Sequence, residues 1–316
     1  VSSRARIGAA FLAIYLIWGS TYLAIRLAVA TLPPFLMAGT RFLTAGLLLF
    51  AWLRIRGEHR ATRREWRDAT IVGALMLLGG NGVVSWAEQF VPSGLAALIV
   101  STIPIWVVLL DSLSRKDAKP DRKTIAGLIL GFLGVAMLVR PHAAPGSGAV
   151  SLLGGGALLL AAALWAAGTL YSRKAARPKA PLLSAAMQMV TGGALLLLTG
   201  TLTGEWARLD LHAATSRSIL ALLYLILFGS LVGLTSYLWL IQVTTPARAS
   251  TYAFVNPIVA IVLGWAVAGE ELRPLTAIAS AVAISGVVLI VRSRAGAGAI
   301  SRLDVSRPDP ATRSTG

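Results

Sequence analysis

The sequence contains no cysteine, which excludes disulfides, thiolate nucleophiles and Cys-ligated metals. Acidic residues are few, 13 against 29 Lys and Arg. The three histidines, His59, His142 and His212, all fall between apolar runs, so no histidine-based metal site or proton relay is visible. No GxxxxGK[ST] stretch occurs, and with it goes the phosphate loop that ATP-driven transport by this chain would need. Paired aspartates, a Ser–His couple and HExxH are also missing from the apolar core. An intramembrane enzyme is therefore not expected. No cofactor or metal is implied.

Apolar residues dominate what remains. The chain of 316 residues is 56% hydrophobic and only 13% charged, against about 25% charged in soluble domains. Apolar runs of about 20 residues, enough to span a bilayer, recur from end to end. The net charge of +16 invites a nucleic-acid reading. The arginines argue against it, because they cluster in short gaps between apolar runs, as membrane topology demands. The first segment, VSSRARIGAA before a long apolar run, superficially resembles a signal peptide. It lacks a convincing cleavage site and reads as a retained helix.

The pattern predicts ten transmembrane helices, at 8–29, 33–53, 68–87, 93–113, 122–139, 149–172, 180–202, 217–242, 247–267 and 274–291. The segment 293–316, rich in Arg, Ser, Pro and Asp, reads as a disordered cytoplasmic tail. Alternate gaps hold nearly all the loop cations: six arginines from Arg54 to Arg67, five basic residues from Arg115 to Lys123, and four from Arg173 to Lys179. The opposite gaps hold only Arg140, Arg208, Arg217 and Arg273. The positive-inside bias places both termini in the cytoplasm.

An internal repeat is visible. Trp18, Arg26, Pro34, Arg41 and Gly46 are answered at one constant spacing by Trp165, Arg173, Pro181, Gln188 and Gly193. Gly80, Trp86, Gln89 and Pro104 are answered by Gly233, Trp239, Gln242 and Pro257. Thr124, Gly134 and Arg140 are answered by Thr276, Gly286 and Arg292. Each half, 8–140 and 149–292, holds five helices. An odd number starts the second half from the opposite side of the membrane. The fold class expected is thus an all-α integral membrane protein of two inverted five-helix repeats. Such repeats are a signature of alternating-access transporters, with the substrate near the midplane.

Here the sequence resembles the drug/metabolite transporter superfamily, in particular its ten-helix EamA-type exporters. The residues that carry the likeness are IWGSTYLAIRLAV with PPFLMAGTRF, GNGVVSWAEQFVPSGLAALIVSTIPIW, and YLWLIQVTTPARASTYAFVNPIVAIVLGWAVAGEEL. The resemblance covers about residues 8–292. It implies a bacterial inner-membrane exporter of small metabolites with a central cavity lined by the first, third, fourth, sixth, eighth and ninth helices. Where aromatic amino-acid exporters of this family carry aromatics just before the fourth-helix proline, this chain has Ser101, Thr102 and Ile103. That departure puts a purely aromatic preference in doubt.

Residues out of place in the apolar runs are the site candidates. Tyr15, Trp18, Tyr22 and Arg26 share one helical face. Trp18 and its repeat partner Trp165 fall near the midplane, whereas membrane tryptophans concentrate at the interfaces. Core packing and a substrate-stacking wall would both use such rings. Asn81, Ser85 and Glu88 share a face of the third helix. Pro104 and Pro257 each remove a backbone donor and serve either as static kinks or as hinges. Ser101, Thr102, Tyr252 and Asn256 are placed to satisfy the freed carbonyls or to meet substrate. Thr169 and Tyr237 complete the expected substrate-binding set. Arg26, Arg41 and Glu88 lie in the outer half. An Arg41–Glu88 or Arg26–Glu88 pair would act as a clamp or an outer gate. Gly127 and Gly131 form a GxxxG, most often a packing face.

This set suits a small zwitterion, so amino-acid export, neutral or aromatic, is the leading expectation. The alternative is multidrug export of aromatic or cationic compounds. The expected partners are a small-molecule substrate and the lipid bilayer, with no nucleic acid and no ATPase, and a monomer as the unit.

Overall fold

Helices begin where the sequence supplies a start signal. Prolines open three of them: Pro34–Ile55 (α2), Pro181–Leu202 (α7) and Pro274–Val305 (α10). The missing N–H of proline is an orphan at a first turn in any case. Thr62 and Glu65 form a reciprocal capping box before Arg63–Ala87 (α3), with Glu65 N donating to Thr62 Oγ1 at 3.2 Å and Thr62 N donating to Glu65 Oε2 at 2.7 Å. Ser151 and Thr215 cap Leu152–Ser172 (α6) and the helix over 216–243 (α8). The other helices are Ser3–Ala28 (α1), the interrupted pair Ser93–Val100 and Ile103–Ser114 (together α4), Arg122–Leu138 (α5) and Tyr252–Ala268 (α9).

These ten helices belong to a computed structural model that describes residues 3–58, 61–114, 122–140, 150–178, 180–244 and 252–305. Among the described residues, seven helical segments are long and apolar enough to cross a membrane, and Val255–Ala268 and Pro274–Ile290 are apolar but shorter. The helix α9, at 17 residues, sits at the lower limit for a span. Between the halves, Val139–Arg140 and Val150–Ser151 form a short parallel bridge. Residues 141–149 lie outside the described set.

One boundary differs from the sequence reading. The last helix continues to Val305 rather than yielding to a tail at 293. The stretch after Arg292 is rich in alanine, and no proline interrupts it before Pro308. Residues 306–316 lie outside the described set.

Corresponding helices of the two halves cross at glycines. A Cβ on Gly46 of α2 would lie 2.7 Å from Val190 N of α7, and one on Gly193 of α7 would meet Leu43 N of α2. These two glycines are the repeat partners read from the sequence. In the same way, α5 meets α10 through Gly127, Gly131 and Gly134 against Gly286: a Cβ on Gly286 would lie 2.5 Å from Gly131 N. Small residues that let backbones meet are the membrane substitute for a hydrophobic driving force between helices. Apolar clusters flank the crossings, with Phe42, Met187 and Leu196 around α2–α7, and Ile105, Val108, Val287 and Ile290 around α5–α10.

The chain is free of native cysteines, so its orientation is directly readable. With both termini cytoplasmic, Arg56→Cys should resist an impermeant maleimide added outside intact cells, and Ala207→Cys should react. The reverse pattern would invert the assigned topology. Gly193→Leu should lower stability by about 1–3 kcal/mol, the usual cost of overpacking, read as a fall in the unfolding temperature of the purified protein.

Candidate functional site

Two helices depart from α geometry at corresponding places. In α3, Gly73–Gly82 is π-helical, and in α8 so is Leu225–Val232. Extended π segments are rare, and π turns gather at functional sites. Here each one receives the tryptophan of the other repeat. A Cβ on Gly80 would lie 2.8 Å from Trp165 Cε3, and a Cβ on Gly233, at the end of the second π segment, would meet Trp18 Nε1. Trp18 Nε1 also donates to Gly229 O at 3.3 Å. The two repeat-related tryptophans thus lie against glycine backbones across the repeat interface.

Between them is a cavity of about 170 Å3. Trp18, Tyr237 and Tyr252 form one aromatic cluster on its wall, with centroids 5.1, 5.2 and 5.8 Å apart. Tyr22, Asn81, Trp165 and Asn256 also line it. The Oδ1 of Asn256 is buried and accepts no hydrogen bond among the described residues. Seven of the residues singled out for substrate contact therefore face one space.

Four others do not line it. Ser101 and Thr102 sit at the break in α4, before Pro104, and their hydroxyls donate to Leu98 O and Ile99 O, each at 2.6 Å. Their donors are spent on carbonyls at the end of the first α4 segment, of which Ile99 O also accepts from Thr102 N at 3.1 Å. Ser85 and Thr169 donate one turn back, to Asn81 O and Trp165 O, each at 2.9 Å. Helix α9, in contrast, runs through Pro257 without a break.

The charged candidates separate. Arg26 donates to the main-chain carbonyl of Glu88, not to its carboxylate. The Glu88 side chain is fully buried, and neither of its oxygens has a hydrogen-bond partner among the described residues. Neither residue lines the cavity. Arg41 does, together with its repeat partner Gln188. Arg41 Nε donates to Ser230 Oγ at 3.0 Å, and the guanidinium lies 4.5 Å above the Phe42 ring. The Ser230 hydroxyl in turn donates to Leu225 O, five residues back in the π segment.

The lining is wider than the six helices the family likeness implies. Arg41 and Phe42 of α2, and Ala185, Gln188 and Met189 of α7, join it. Gln188 was visible in the sequence as the counterpart of Arg41. Thr21 and Ile25 sit on the same helix as Trp18 and Tyr22. Nothing in the run LILFGSLV marked Gly229 or Ser230 as cavity residues. Glu270, in the segment between α9 and α10, caps α4 from the other repeat. It accepts from Ser93 N at 2.7 Å and from Gly94 N at 3.1 Å.

Comparison with known proteins places this architecture. The family model for the EamA-like transporter family matches residues 6–140 and 152–292. An "Uncharacterized inner membrane transporter YedA" of Escherichia coli (strain K12) is 37% identical over 283 residues, 89% of each chain. An "Uncharacterized transporter" of Archaeoglobus fulgidus is 25% identical over 282 residues, covering 88% of this chain and 95% of that one. A crystal structure that shares 20% sequence identity superposes with a TM-score of 0.62 over 90% of this chain and 97% of the other, a likeness of fold.

The fit of tryptophan on glycine can be tested directly. Gly80→Ala places a methyl against Trp165 and should displace the ring at a cost of about 1–3 kcal/mol in overpacking. Ligand affinity should fall more than folding stability does. An unchanged ligand dissociation constant would show that the Trp165 position does not matter to the site.

Proposed function

This chain belongs to the EamA-like transporter family, a multi-pass membrane transporter family, and we propose that it exports small metabolites, neutral and aromatic amino acids first, by alternating access through the cavity between its repeats. The observation that carries this reading is the cavity itself, because it lies between inverted repeats and is lined by their corresponding residues, Trp18 with Trp165 and Arg41 with Gln188. A site on a pseudo-two-fold axis is where rocking of one repeat against the other exposes a ligand to either side in turn. The rings of Trp18, Tyr237 and Tyr252 take an apolar or aromatic side chain. Asn256 Oδ1, without an internal donor among the described residues, accepts from an amine.

Both ends of the helix bundle are tied across the repeats. At one end Glu205 accepts from Leu36 N at 2.8 Å and from Phe35 N at 3.3 Å, and Glu270 caps α4. At the other end Asp68 accepts from Ala176 N at 2.8 Å and from the Tyr171 hydroxyl at 3.2 Å. Alternating access would break one set while keeping the other. With both termini in the cytoplasm of an inner membrane, Glu205 and Glu270 form the outer set and Asp68 the inner one. Pro257, and Pro104 beside the α4 break, are the hinges in this reading. Ser101 and Thr102 act by supporting that break, not by touching substrate.

The three-ring cluster also suits aromatic or cationic drugs, and this is the second reading. No carboxylate lines the cavity among the described residues, which favours amino acids over cations. Proteoliposomes loaded with radiolabelled Phe, Met or Thr, set against ethidium efflux from cells, separate the two. Amino-acid flux without ethidium efflux is the expected result; the opposite pattern selects the multidrug reading. In the same assay Trp18→Ala should weaken apparent affinity for phenylalanine roughly 2- to 10-fold, the equivalent of an aromatic contact worth about 0.5–1.5 kcal/mol. Equal affinity would remove Trp18 from the substrate site.

A further inference from the structure

Arg41 is a buried cation with no ion-pair partner among the described residues. It is 5% exposed, and it lies about two turns into α2. A charge there is costly unless something pairs with it. Its Nε bond to Ser230 is its only hydrogen bond among the described residues. Glu88 acts on it only through space. The Glu88 carboxyl oxygens accept no hydrogen bond among those residues, so they do not take Arg41 donors. A guanidinium carries five N–H donors in a planar fork. One is used by Ser230, one face is covered by Phe42, and the Nη groups are left beside the cavity.

The surroundings keep that space open. A Cβ on Gly229 would lie 3.1 Å from Arg41 Nη2 and 3.0 Å from the Thr21 methyl. The carbonyl of the same glycine receives the Trp18 indole. The guanidinium and the aromatic cluster therefore flank one residue, within the reach of a single small molecule. No Asp or Glu lines the cavity among the described residues.

We propose that Arg41 is an anion subsite and that the transported molecule is an organic carboxylate, with its carboxylate on the Arg41 fork and its apolar group among Trp18, Tyr237 and Tyr252. This rests on the reading of the cavity as the transport site and narrows it, because the carboxylate is required while the amine is dispensable. Arg–carboxylate forks are short, directional and about twice as strong as neutral hydrogen bonds. The ligand thus supplies the contacting counter-charge that the cavity wall withholds. The repeat partner Gln188 occupies the equivalent place without a charge and donates its Nε2 to Ser184 Oγ at 3.1 Å. The cavity is consequently polarised, with one end cationic and the other neutral.

The test compares four ligands on the purified full chain by thermal shift: L-phenylalanine, 3-phenylpropanoate, L-phenylalanine amide and phenethylamine. Each stabilises in proportion to its occupancy of the folded state. The two carboxylates should act at concentrations roughly tenfold or more below the amide and the amine, the usual yield of a charge-assisted hydrogen bond. Arg41→Gln should bring acid and amide to within about twofold of each other, and Arg41→Lys should retain part of the preference. An amide that binds the native protein as tightly as the acid overturns the proposal without any variant, so a misfolded Arg41→Gln does not shield it. Preference for the acid that survives in Arg41→Gln overturns it too. Proteoliposome flux separates this from the broader reading. Equal movement of phenylalanine and its amide removes the carboxylate subsite and leaves the transporter reading standing. Movement of none of the four, with ethidium efflux intact, removes both.

Discussion

The close crossing of α2 on α7, and of α5 on α10, is the constraint from which the rest of the arrangement follows. In a bilayer, apolar side chains gain nothing by leaving lipid for protein, so helices hold together by packing and polar contacts. Gly46 and Gly193 bring two backbones together at one point, and Gly131 and Gly286 do so at another. Each contact joins a helix to its own counterpart in the other half. Two such contacts fix the pseudo-two-fold axis. Once that axis is set, α1 and α6 carry their tryptophans onto the π segments of the opposite halves, and a cavity is left between them.

The second constraint is the backbone. Lipid offers no hydrogen bonds, so unpaired N–H and C=O groups must find partners inside the protein. Helices α2 and α4 both begin after prolines that provide no side-chain cap. Their exposed N–H groups are met by Glu205 and Glu270 from the other repeat. At the α4 break, Ser101 and Thr102 satisfy carbonyls with their own hydroxyls. Polar residues that look like a binding surface in the sequence are thus partly a repair kit for irregular helices. The cavity keeps the polar groups that remain unspent: Arg41, Asn256 and the tyrosine hydroxyls.

Symmetry of position and asymmetry of chemistry coexist in this wall. Trp18 and Trp165 preserve both, whereas Arg41 and Gln188 preserve position alone. Inverted repeats make the two halves of the wall geometrically similar. The single guanidinium makes the two ends of the cavity chemically different.

The ten helices, the repeat and the transporter family were legible in the sequence, because hydrophobic length and the ordered matches of Trp, Arg, Gly and Pro are local, one-dimensional signals. Trp18, Tyr22, Trp165 and Asn256 stood out for the same reason, as polar-tipped residues at apolar depth. The fate of Ser101, Thr102, Ser85 and Thr169 was not legible, since a hydroxyl one turn from a carbonyl has the same sequence context whether it bonds backward or faces a ligand. The extension of α10 to Val305 went against a composition that reads as tail, because composition does not show that the proline-free stretch after Arg292 continues a turn already begun. The sequence by itself determined which residues are too polar for lipid and where along their helices they lie. Only the tertiary structure decided which are spent on the backbone and which are left over, because hydrogen-bond partners lie on distant helices whose approach is set by glycine crossings. On that basis Arg41, with Arg26 one of two candidate partners for Glu88 in the sequence reading, stands beside Ser230 on the cavity wall.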